Sequence, residues 1–206
     1  MTKIAAKISS FLCARGVVEE EEKELYTYGY EIILENIGKT ILLLIAGGIV
    51  HKFVATCIFV VGFVSLRSSC GGYHAKKAWQ CDILTLLLWG SVIGGISFVK
   101  NILMNGRVFL YIFVLVSELI IIHYAPVEHK NNRLTKEKRE KNRRQALVMG
   151  TLYGILVLLF SFVSIDYGIT LSLTLLEVAI LMIIPSEGRI SHEEAEQIGN
   201  DGEKSW

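Results

Sequence analysis

Between residues 67 and 81 the chain reads Arg-Ser-Ser-Cys-Gly-Gly-Tyr-His-Ala-Lys-Lys-Ala-Trp-Gln-Cys. One short polar segment thus holds an arginine, two cysteines, a histidine and a Gly-Gly pair. A thiol with an imidazole in reach is a nucleophile–base pair, the imidazole taking the thiol proton before attack on a carbonyl carbon. An ordinary thiol is only a few per cent thiolate at neutral pH. A cysteine that does chemistry therefore needs a basic partner, a helix N-terminus, or both. Cys81 has both in prospect: His74 lies upstream, and the apolar run Ile83–Val99 begins just after it.

Spacing constrains the pair. His74 and Cys81 are seven residues apart; on one continuous helix they would share a face but stand about 10 Å apart along the axis. Proton transfer needs hydrogen-bond reach, so a dyad requires the chain to bend between them. Gly71-Gly72 can turn it just ahead of His74. Cys70 and His74, four apart, could instead share a helix face, and with Cys81 they could offer three ligands to zinc; no fourth ligand is evident. Cys13 and Cys57 read as small buried apolar residues. Other peptidase signatures are missing. His192-Glu-Glu-Ala-Glu196 has glutamate where a zinc peptidase motif needs its second histidine. With no phosphate-binding glycine motif either, no nucleotide, metal, cofactor or nucleic-acid partner is expected.

The elements that must position this segment are apolar. Of 206 residues 52% are hydrophobic and mean hydropathy is +0.47, while the 20% charged residues are segregated, which excludes a single soluble domain. Runs of about 18 or more apolar residues read as membrane-spanning helices. They occur in Asp82–Val99, Val108–Tyr124, Ala146–Ile165 and Ile169–Pro185. Ile32–Leu66 reads as a helical hairpin turning at His51-Lys52, its second arm only about 14 residues by the length a span requires. The expected fold is an all-α polytopic membrane protein of about six transmembrane helices. Lys and Arg favour the cytoplasmic side. Residues 125–145 carry Lys130, Arg133, Lys136, Lys138, Arg139, Lys141, Arg143 and Arg144 against Glu128, Glu137 and Glu140. That places both termini, the 67–81 segment and this basic loop in the cytoplasm.

The expected organisation is an amphipathic surface helix over 1–16, an integral membrane domain over 17–185 and a polar tail over 186–206. In the first part Lys3 and Lys7 alternate with Ile4, Ile8, Phe11 and Leu12, and Gly16 ends the helix. Two carboxylates fall inside apolar runs, Glu118 and Glu177. A carboxylate in hydrocarbon costs a few kcal/mol and faces a partner or cavity. A small transporter or peptide exporter would use these two for coupling, and that is the alternative reading of the chain.

The 67–81 segment resembles the accessory gene regulator protein B (AgrB-like) family of membrane cysteine peptidases. The matching residues are Arg67, then Gly71-Gly72-Tyr73-His74-Ala75, then Cys81, with Ala125-Pro126-Val127-Glu128 and Asn131 as a second match. Where similar proteins often carry a proline shortly after that asparagine, this chain has Arg133-Leu134. The resemblance implies a thiol endopeptidase of quorum sensing with Cys81 as nucleophile and His74 as base. It implies a short AgrD-like precursor peptide as substrate, held as a Cys81 thioester until an internal cysteine or serine closes a thiolactone or lactone ring. It also implies a homodimer. Arg67, Gly71 and Gly72 are then candidates for holding substrate or oxyanion. The cations Lys130, Lys136, Lys138, Arg139, Lys141, Arg143 and Arg144 either fix topology against anionic lipid or also attract an acidic precursor tail.

Overall fold

The computed structural model describes residues 2–71, 78–102, 106–129, 135–184 and 189–190. The chain divides into two compact units, 1–53 and 54–206.

In the first unit α1 (Thr2–Ala14) packs on α2 (Lys23–Ile49). The contact face of α1 is made by small residues: Ala5 and Ser9 are fully buried, while Ile4 and Phe11 remain exposed. The Ser9 hydroxyl lies 2.5 Å from that of Thr27, which itself donates to the Lys23 carbonyl. An uncovered apolar flank beside Lys3 and Lys7 suits a helix lying at a membrane surface. Gly16 ends α1 as expected. It takes a left-handed φ of +68°, and Gly16 N–H and Val17 N–H donate back to the carbonyls of Cys13 and Leu12, which satisfies two orphaned helix-end acceptors. The turn at His51-Lys52, which ends α2, is built alike. His51 is left-handed at φ 55°, and His51 and Lys52 donate to Gly48 and Gly47.

The second unit contains α3 (Phe53–Cys70, whose first residue closes the preceding unit), α4 (Ala78–Ile102), α5 (Gly106–Tyr124), α6 (Lys136–Val163) and α7 (Ile165–Ile183). Six helices, α2 to α7, are long and apolar enough to cross a membrane. The fold is all-α; a two-residue pairing of β1 (Glu128–His129) with β2 (Arg189–Ile190) is its one extended contact among the described residues. The core is α7, against which α4, α5 and α6 pack. Ile169, Leu171, Leu175, Val178, Ala179 and Met182 of α7 are buried. Its buried hydroxyls bond to their own helix: Thr170 donates to Asp166 O, Ser172 to Ile169 O and Thr174 to Thr170 O. Polar side chains are thereby satisfied without a partner from solvent.

Close approaches fall where a side chain is absent. A Cβ on Gly95 would stand 2.8 Å from Leu173, and one on Gly168 would stand 3.1 Å from the Ser161 backbone. Between helices, Trp89 donates to the Thr56 hydroxyl at 3.0 Å, and the Ser65 hydroxyl lies 2.5 Å from that of Tyr153. At one end of the bundle Lys100 pairs with Asp166 at 2.6 Å. The ends of α3 and α5 and the starts of α4 and α6 lie at the other.

The structure moves three sequence-derived boundaries. α3 runs on to Cys70, giving 18 residues rather than about 14. α4 begins at Ala78, so Cys81 lies inside its first turn. α6 begins ten residues before its apolar run: Thr135 caps it, its hydroxyl accepting from Lys138 N–H at 3.4 Å. Most of the basic stretch is therefore helix rather than loop. Apolar patterning marks where lipid begins, and a capped helix can start well before that.

At the end that holds Cys81, Gly71 joins two distant segments. It is left-handed at φ +74°, and an added Cβ would stand 2.7 Å from the Val127 carbonyl oxygen. Val127 N–H in turn donates to the Cys70 carbonyl at 3.0 Å. Gly71→Ala should therefore cost about 2 kcal/mol or more, from left-handed strain plus displaced backbone. Gly94→Ala, which opens onto empty space, should leave stability unchanged or slightly higher. Thermal unfolding of both variants in detergent checks the contrast.

Candidate functional site

Arg67 occupies the last turn of α3 and Cys81 the first turn of α4. The charge on Arg67 lies within electrostatic range of Cys81. The guanidinium also lies 5.6 Å above the Phe63 ring, a cation–π contact that steadies its planar group. Cys81 is half-buried and its thiol is free of any disulfide. Its carbonyl accepts from the Thr85 hydroxyl at 2.9 Å. As the fourth residue of α4, it sits among N–H groups with no intrahelical acceptor, the positive end of the helix. Fixed positive charge thus approaches this thiol from two elements.

The other cysteines differ. Cys70, the last residue of α3, is fully buried, and Gly71 after it is left-handed. Cys13 and Cys57 are half-buried rather than enclosed. His74, Gly72 and Lys130 lie outside the described residues, as does the side chain of Lys136.

The structure brings together the two segments that carry the resemblance. Ala125 and Pro126, both buried, deliver Val127 onto Cys70 and Gly71. This clamp fixes the exit of α3, and so the start of the segment that carries His74. Sequence reasoning gave these three residues no role; the pairing of a turn glycine with a distant Pro-containing turn was the available signal. Lys138, Lys141, Arg143 and Arg144 are exposed on the first turns of α6, with Arg139 half-buried. Glu118 and Glu177 are seated within helix packing. The Glu118 carboxylate fills the space above Gly150, where a Cβ would come within 2.9 Å of Oε1. Glu177 accepts from the Ser91 hydroxyl of α4.

Comparison with known proteins shows the family of the chain. The family model for accessory gene regulator B matches residues 2–184. A putative AgrB-like protein of Clostridium acetobutylicum is 31% identical over 173 residues, covering 84% of this chain and 81% of its own. The accessory gene regulator protein B of Staphylococcus saprophyticus is 28% identical over 160 residues, covering 76% and 82%. That of Staphylococcus lugdunensis is 26% identical over 133 residues, covering 65% and 69%. No solved structure matches the chain. With the family model spanning nearly all of the chain, this six-span membrane protein belongs to the accessory gene regulator B family.

Proposed function

We propose that the chain is a membrane cysteine endopeptidase that cuts a short AgrD-like precursor peptide and releases it as a ring. The observation that carries this reading is a free, half-buried Cys81 thiol in the first turn of α4, with Arg67 of the last turn of α3 within electrostatic range. A half-accessible thiol at a helix start, within range of a fixed cation, is where a thiolate and then an oxyanion would be stabilised.

In this reading His74 takes the Cys81 proton and the sulfur attacks the scissile carbonyl carbon. The tetrahedral oxyanion is held by Arg67 and by N–H groups of the first turn of α4 or of Gly71-Gly72. The C–N bond breaks, and His74 gives its proton to the leaving amine. The retained part of the precursor is then a thioester on Cys81. An internal cysteine or serine of the precursor attacks that carbonyl, closes a thiolactone or lactone, and returns the Cys81 thiol. Exchange of an amide for a thioester is uphill, so the ring must be drawn off and water kept from the acyl-enzyme. A site at the end of a lipid-embedded bundle favours both. The reading places the 67–81 segment, the start of α6 and both termini in the cytoplasm, following the lysine and arginine bias, and includes a homodimer. The exposed cations of α6 are its candidate dock for an acidic part of the precursor.

The decisive test mixes the protein in liposomes with candidate precursor peptides and follows products by mass spectrometry. Wild type should yield the cut peptide, a protein–peptide adduct on Cys81 and a cyclic product. Cys81→Ala and His74→Ala should abolish all three. Cleavage that persists in Cys81→Ala would remove the nucleophile assignment; transport dependent on Glu118 or Glu177 and intact in Cys81→Ala would favour the exporter. Arg67→Gln should lower kcat by roughly 10²-fold or more, the scale of losing one oxyanion donor, with a smaller change in KM. Arg143→Gln/Arg144→Gln should raise the precursor Kd without altering insertion, and an unchanged Kd would leave these arginines a topological role only.

A further inference from the structure

Six cations occupy residues 136–144 at the start of α6, against Glu137 and Glu140. They stand at the wrong end of the helix for its own stability, because cations oppose the positive N-terminal dipole. Lys138, Lys141, Arg143 and Arg144 are exposed there. Residues 191–206 of the same chain carry Glu193, Glu194, Glu196, Asp201 and Glu203 against Lys204 alone. Opposite and nearly equal charge thus resides on two segments of one unit.

Their roots are joined by backbone pairing. β1 and β2 pair antiparallel, Glu128 opposite Ile190 and His129 opposite Arg189. This anchors the chain entering the acidic segment beside the turn that leads from α5 into α6. The register also gives β2 a heading toward Val127, the residue clamped on Gly71. Sixteen residues span up to about 55 Å when extended, whereas the basic turns of α6 cover only about 12 Å. The reach is ample from an anchor at Ile190.

We propose that the acidic segment 191–206 docks on the basic start of α6 and competes there with the charged part of the precursor. The inference rests on the peptide-processing reading for its consequence, but not for the docking itself. Individual exposed ion pairs contribute little. Tethering changes the outcome: a covalent link of this length can set an effective concentration of about millimolar, so even a weak contact is largely occupied in cis. A precursor that brings several carboxylates and a membrane anchor would displace the segment, while weakly charged peptides would not. The segment then acts as a built-in selectivity filter on the site.

The test uses the full chain and a variant ending at Ile190, both in nanodiscs. The probe is a fluorescently labelled synthetic peptide of residues 191–206. It should bind the shortened protein saturably, bind the full chain several-fold more weakly, and lose affinity as salt rises. A peptide carrying Glu193→Gln, Glu194→Gln and Glu196→Gln should bind several-fold more weakly than the natural one. In the activity arm, the shortened protein and the full chain with the same three substitutions should show a precursor KM about two- to tenfold lower, with kcat unchanged. No binding up to several millimolar peptide, equal binding by the glutamine peptide, or an unchanged KM would overturn the proposal. The binding arm needs no turnover. If no precursor is cleaved by any form, the peptidase reading fails, and peptide binding alone decides the docking.

Discussion

Hydrocarbon offers no hydrogen-bond partner to the backbone, and most of this structure follows from that. Each span must satisfy its amides internally, which makes α2 to α7 helices. The same constraint reaches the side chains. Buried Thr170, Ser172 and Thr174 bond to carbonyls of their own helix. Trp89 and Tyr153 reach hydroxyls on α3. Two carboxylates are exceptions inside the bundle: Glu118 sits over Gly150 and Glu177 accepts from Ser91, and each leaves one buried oxygen without a hydrogen-bond partner among the described residues. Helix ends offer further unpaired backbone groups, and Arg67 and Cys81 lie at such ends.

That end of the bundle is assembled from distant parts of the chain. Arg67 closes α3 and Cys81 opens α4, so their separation depends on how two helices are held. The exit of α3 is held in turn by Val127, which accepts no substituent on Gly71 and donates to Cys70. A change in the turn after α5 would therefore reach the cysteine through backbone displacement. α4, α5 and α6 pack on α7, and α3 approaches it where a Cβ on Gly62 would stand 3.2 Å from Leu171. Interiors packed at native density transmit small displacements rather than absorb them.

The start of α6 shows how one stretch of sequence meets two demands. Its cations favour the side of the membrane where they stand, as any lysine- and arginine-rich segment does. Being helical and capped by Thr135, they are also presented at fixed spacing rather than spread along a mobile loop. A fixed array of charge can discriminate between peptides in a way that a disordered one cannot, since less ordering is required on binding.

The sequence by itself determined the number of spans, the turn at His51-Lys52, the end of α1 at Gly16 and the segment that carries the reactive residue types. Apolar run length and left-handed turn residues are local properties, readable without knowing what lies across the bundle. It also identified two separate matching stretches, 67–81 and 125–128, but not that Gly71 and Val127 touch. Nor did it determine that Trp89 reaches Thr56, or that Gly150 makes room for Glu118. Apolar periodicity placed the start of α6 ten residues late, because the helix there is specified by its Thr135 cap rather than by burial in lipid. Tertiary structure decided these points, because side chains meet across helices only when rotation and depth in the bundle are fixed. Those are set by the summed packing around α7, which no single stretch of the sequence contains.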